Sequence, residues 1–185
     1  MNIIVILGIV VVVVIVFVIY TYNALVTLKT NRDQSFADID VQLKQRFDLV
    51  PNLVETVKGY ATQEKTVFEN VTKARTAALS AQSIDDKIVA NNQLSSTLKS
   101  LFAVSEAYPD LKSNQNFLAL QNELSDIENK ISAARRFFNN ATKEYNVILS
   151  QFPYLLIAGT FGFKNATFFD IGSDEAAREP VQVKL

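Results

Sequence analysis

The chain has 185 residues, with 18 Lys and Arg against 19 Asp and Glu, a formal net charge of −1, and neither cysteine nor histidine. Interspersed charges so closely balanced leave no electrostatic footprint for nucleic acid. The missing cysteine excludes disulfides, thiolate nucleophiles and zinc–thiolate sites, and the missing histidine removes the commonest general base, metal ligand and phosphorelay residue.

The first element dominates the reading. No charged side chain precedes Lys29, and Ile3 to Tyr20 is apolar apart from Gly8 and the closing tyrosine. About 18–20 helical residues span roughly 27–30 Å, the thickness of a bilayer's hydrocarbon core. Tyr20 and Tyr22 close the run, where amphipathic rings favour the interface. A secretory signal would have a basic start, a shorter apolar run and a small-residue cleavage site. Met1-Asn2 has no basic side chain, the run is longer, and Tyr22-Asn23-Ala24 places a ring where a small residue is needed. The reading is therefore a single-pass transmembrane anchor at residues 1–22 of a cell-membrane protein. Lys29 and Arg32 follow the span closely, so the positive-inside rule places the following domain in the cytoplasm and the N-terminus outside.

From residue 23 the helix continues without Gly or Pro to Pro51. Leu25, Leu28, Phe36, Ile39, Leu43, Phe47 and Val50 form an apolar stripe, with Arg32 filling its one gap. Proline deletes a backbone donor and disfavours helix at the preceding residue, so a turn is expected around Asp48–Pro51, with a kinked continuous helix as the alternative. The second helix is expected over 51–79, with Leu53, Val57, Tyr60, Glu64, Val67, Val71, Ala74 and Ala78 at 4–3 spacing. Ser83 and Asp86 resemble a capping box for a third helix over 84–108. The fourth, over 114–152, carries Phe117, Leu120, Leu124, Ile127, Ile131, Ala134, Phe138, Ala141, Tyr145, Ile148 and Phe152 in unbroken 3–4 alternation.

Helices of similar length joined by short polar breaks predict an all-α fold, an N-terminal transmembrane helix continuous with an antiparallel up-and-down four-helix bundle over 23–152. A turn at 50–51 would set Arg46 beside Glu55 and Arg32 near Glu69, with Glu64 and Glu128 as other carboxylates for Arg32. Gln121, Glu128 and Arg135 recur every seven residues beside the core of the fourth helix, as flank residues bonding to neighbours or as a polar ligand seam. Residues 153–169 form an aromatic segment, too short to span a bilayer. Helix parity returns it towards the membrane, making Tyr154, Phe161, Phe163, Phe168 and Phe169 interface candidates beside Tyr20 and Tyr22. An extended tail is expected over 170–185.

The stretch DVQLKQRFDLVPNLVETVKGYATQEK at Asp40–Lys65 closely resembles the LemA family. So do YNALV after the span, FLALQNELSDIENKISAARRFFNNATKEYN at Phe117–Asn146, the Phe152-Pro153 pair, FGF at Phe161–Phe163, and Ala177-Arg178 with Pro180. The resemblance implies a bacterial or archaeal membrane protein with a four-helix domain. The family has no assigned chemistry, so no active site is implied. Phe47 stands where related sequences usually place tyrosine.

Phosphate loops, G-x-S-x-G and H-E-x-x-H are all absent from the sequence. Asp38 with Asp40, and Asp85 with Asp86, read as solvated faces or helix starts rather than cation sites. No metal, cofactor or small-molecule substrate is inferred. The expectation is a non-enzymatic scaffold or adaptor that presents a rigid helical rod at the bilayer to protein partners. The alternative is a homo-oligomeric protein that assembles laterally around lipid and shapes the membrane.

Overall fold

The computed structural model describes residues 2–170. Six helices and no strand occur among them: α1 (Ile3–Lys58), α2 (Lys65–Ser80), α3 (Ile84–Glu106), α4 (Pro109–Lys112), α5 (Gln115–Ser150) and α6 (Tyr154–Ala158). The fold is all-α, and the N-terminal apolar helix is continuous with the helix that follows it. The tail expected over 170–185 lies, past Asp170, outside the described residues. The chain divides into two compact units, residues 2–38 with 134–168, and residues 39–133 with 169–170.

The largest departure from expectation is in α1. It runs through Pro51 without a turn and reaches Lys58, for 56 residues and about 84 Å. An interior proline costs a helix about 3 kcal/mol, partly because the carbonyl four residues earlier loses its donor. That carbonyl belongs to Phe47, and Arg75 Nε of α2 donates to it at 2.7 Å. The orphaned acceptor is thus satisfied from a neighbouring helix. The helix ends after Lys58, where Gly59 and Tyr60 form a turn and the Ala61 N–H closes on the Val57 carbonyl.

The second unit collects parts of α1 and α5 with the whole of α2, α3 and α4. Leu43, Phe47, Val50, Leu53 and Val57 of α1 are buried, as are Phe68, Val71, Ala74 and Ala78 of α2. Leu94, Leu98 and Leu101 of α3 and Phe117, Leu124, Ile127 and Ile131 of α5 complete the apolar interior. Asp40 meets Lys87 while Arg46 meets Asn91 and Ser95, so α3 runs parallel to α1. The α2–α3 link is short, and Ser83 caps α3 by accepting from the Asp86 backbone N–H at 3.0 Å. The third helix expected to Tyr108 breaks at Ala107, and Pro109 opens α4 in its first turn, where its missing donor costs nothing. Asn114 Oδ1 accepts from the Phe117 N–H and starts α5, and Asn114 Nδ2 donates to the Tyr60 hydroxyl.

In the first unit, α1 from Ile3 to Phe17 is exposed on every side while every side is apolar. A helix hydrophobic all round suits lipid rather than water. It is the single helix among the described residues long and apolar enough to cross a membrane. Beyond it, Phe36 meets Phe138 and Arg32 meets Thr142, so α1 and α5 run antiparallel here.

Candidate functional site

The candidate site is built where α5 ends. Ser150 closes α5, Phe152 stands 78% exposed rather than continuing the helix's buried stripe, and α6 follows after Pro153. The chain then folds back on α1. Gly162 adopts φ 74°, a left-handed conformation that side chains resist, and open space surrounds it. Glycine is therefore required by the backbone, not by crowding. The turn aims Phe161 and Phe163 at Tyr22, with ring centroids 5.1 and 5.7 Å away. Leu25, Tyr145, Leu149 and Ala158 form the buried cluster beneath, with Tyr154 and Phe163 packed against it.

A side chain outside the sequence reading fastens this segment. Asn146 Oδ1 accepts from the Ala166 N–H at 2.8 Å, and Asn146 Nδ2 donates to the Ala166 carbonyl at 2.9 Å. The amide thereby mimics a backbone partner and holds an irregular stretch against α5. The resulting collar keeps apolar side chains in the open. Leu155, Leu156 and Phe168 are exposed, and Phe161 is half exposed beside Val18, Ile19 and Tyr22 of the apolar helix. Phe169 is corrected: expected among the interface aromatics, it is 2% exposed and belongs to the protein interior.

Arg32 lies one turn beyond Leu28 and is nearly buried. Its guanidinium stacks over Phe138 at 4.8 Å, donates to Thr142 Oγ1 and the Thr167 carbonyl, and pairs with Asp33 at 3.3 Å. These contacts replace the expected partners Glu64, Glu69 and Glu128. Burial pushes the Tyr145 phenol above its ordinary range, and the charge of Arg32 draws it partly back.

The polar calls in the second unit are also re-partnered. Arg46 is buried and donates to Asn91 Oδ1 at 3.1 Å and Ser95 Oγ at 2.9 Å. Glu128 Oε2 sits 3.1 Å from the Arg46 guanidinium, an ion pair whose geometry falls short of a hydrogen bond. Burial lowers the Arg46 pKa and Glu128 raises it, yet an arginine remains charged at any physiological pH. Glu55 pairs with Lys58 on the surface instead of with Arg46. The reason is shared: these pairings assumed a turn at 50–51, and α1 turns only after Lys58. Glu69 and Gln121 are exposed, while Glu64 and Arg135 are half-buried. Of the acidic pairs, Asp40 bonds Lys87 and Asp86 bonds Ser83.

The chain segments that flank the collar carry Lys29, Arg32, Lys143 and Lys164 against Asp33 and Glu144. Since Arg32 and Asp33 pair with each other, the remaining balance is basic. Lys143 also lines an open groove of about 360 Å³ with Asn146, Val147, Ser150, Gln151, Asn165 and Phe168.

The chain is similar to two magnetosome proteins of Paramagnetospirillum magneticum (strain ATCC 700264 / AMB-1), MamQ 2 and MamQ 1, each 24% identical over 80% of this chain. Magnetosome protein MamQ of Magnetospirillum gryphiswaldense (strain DSM 6361 / JCM 21280 / NBRC 15271 / MSR-1) is likewise 24% identical over the same share. The chain spans 64% of the length of these curated relatives. Residues 35–185 match the LemA family, from within α1 through Arg46 and the collar. The chain belongs to the LemA family.

Proposed function

We propose that the chain is a membrane-anchored, non-catalytic scaffold: residues 3–22 of α1 cross the bilayer, the collar seats in the interface, and the helical part presents surfaces to protein partners. The observation that carries this reading is the packing of Phe161 and Phe163 on Tyr22, at the end of the apolar run. Apolar side chains such as Leu156, 65% exposed, are an aggregation hazard in water, whereas an interface accepts an apolar body with a wet side. Lys29 and Arg32 orient the helical part to the cytoplasm. Cysteines introduced singly at Asn2 and Ser173 in this cysteine-free chain give the readout: Asn2 labels from outside intact cells and Ser173 does not. The opposite pattern reverses the orientation.

The second reading, lateral self-assembly around lipid, is favoured by Phe137, 71% exposed on α5. A photo-crosslinker at Phe137 in intact cells separates the two. Adducts of heterologous mass support the scaffold, and a ladder of multiples of the chain's own mass supports assembly.

A further inference from the structure

An open groove beside the collar combines cationic, amide and apolar side chains. Its floor is one face of α5, from Lys143 through Asn146 and Val147 to Ser150 and Gln151, and its other wall is Asn165 and Phe168. Leu149 shares a buried cluster with Leu25 and Thr142 meets Arg32, so this face, from Gln151 to Lys143, lies level with residues about one to nine beyond Tyr22. At 1.5 Å per residue that is about 2–14 Å above the aromatic ring, with Lys143 at the outer end. A bilayer's headgroup layer is about 5–8 Å thick on each side of the hydrocarbon core. The groove therefore crosses the headgroup layer, with Lys143 at its outer edge and its long stem reaching back, if Tyr22 marks the interface, and this step rests on the membrane reading above.

The lining suits an anion with a greasy neighbour. Lys143 supplies a cationic donor, Gln151 and Asn165 supply amide donors, and Val147 and Phe168 are exposed apolar surface. Among the described residues, the side chains of Lys143, Gln151 and Asn165 are not engaged with other partners. Asn146 is committed to Ala166 and holds the wall in place. Lys164 adjoins Asn165 of the wall in the chain and adds to the positive charge there, which Glu144 next to Lys143 partly offsets. We infer that this groove binds the phosphate of an anionic phospholipid headgroup, with Lys143 as the charge partner and Val147 and Phe168 against the glycerol and upper acyl chain.

The test uses the full chain reconstituted into vesicles of phosphatidylcholine with a minor share of phosphatidylglycerol. Native mass spectrometry then reads which lipid stays bound on release. Phosphatidylglycerol should be retained about fivefold over its share, the worth of one lysine near an anionic surface. Lys143→Gln combined with Gln151→Ala should abolish that enrichment, and Lys143→Arg should keep it. Equal retention of both lipids, or unchanged enrichment in the double variant, overturns the inference. Displacement of the lipid by inorganic phosphate at similar concentration overturns it too, since the site would then take a free anion. Flotation of the same full chain with vesicles of phosphatidylcholine alone isolates the other failure: a chain that does not float refutes the membrane reading, and one that floats without enrichment refutes only the headgroup site.

Discussion

Arg75 donates its Nε hydrogen to the carbonyl of Phe47, the acceptor that Pro51 leaves without its helical partner. The guanidinium of one helix thus completes the hydrogen-bond ladder of another and lets α1 pass through a proline. A buried acceptor left unsatisfied costs about 1–3 kcal/mol. Arg75→Ala should therefore destabilise the protein by about that amount in chemical denaturation. In a Pro51→Ala background, where residue 51 regains its N–H, the same substitution should cost clearly less. Equal costs in both backgrounds would mean that Arg75 contributes by packing alone.

Arg46 ties three helical segments of the second unit through Asn91, Ser95 and Glu128. Its side chain is 9% exposed whereas that of Glu128 is 43% exposed. Removing the arginine leaves buried acceptors without a donor, while removing the carboxylate's charge leaves an arginine with Asn91 and Ser95 still in place. Arg46→Ala should cost about 3 kcal/mol, at the low end for a broken buried pair because Glu128 retains access to water. Glu128→Gln should cost about 0–1 kcal/mol. Denaturant melts of the two variants should rank in that order.

Tyr145 gives the fold a stability term at alkaline pH. Burial raises its phenol above the ordinary value, and Arg32 partly opposes this. A raised folded pKa means that the folded state holds its proton more tightly than the unfolded chain does. The contribution is complete below the unfolded value of about 10 and is lost as pH rises towards the folded value. Thermal unfolding followed from neutral pH to above pH of about 10 should show a decline that Tyr145→Phe makes shallower. An identical decline in the variant would show that Tyr145 contributes nothing to it.

Much of this was legible because the determining signals are local. Phe117, Leu124, Ile127, Ile131, Phe138 and Tyr145 of α5 are all buried, as their 3–4 spacing requires, and Ser83 caps α3 through Asp86. The end of α1 was misplaced because Pro51 carries a strong local penalty that a distant residue relieves. Gly59 after Lys58 was the local signal that could have corrected it. The partners of Arg32 and Arg46 depended on helix register, and so failed with the misplaced turn. The site's fastening by Asn146 left no trace in periodicity, since an asparagine on a helix flank reads as solvent-facing until the segment that folds over it is known. The same holds for Phe169, whose burial depends on tertiary placement that an aromatic run does not reveal.

The central claim is that the collar sits in the membrane interface beside the end of the apolar helix. Depth-dependent quenching by brominated lipids tests it most directly, with a fluorophore on a single cysteine in the full chain reconstituted in vesicles. Labels at Val10, Leu156 and Gln93 mark the span, the collar and α3. The account predicts strong quenching at Val10 by bromines deep in the acyl chain, quenching at Leu156 by bromines near the headgroup, and none at Gln93. Quenching at Val10 with Leu156 as dark to bromines as Gln93 would contradict it.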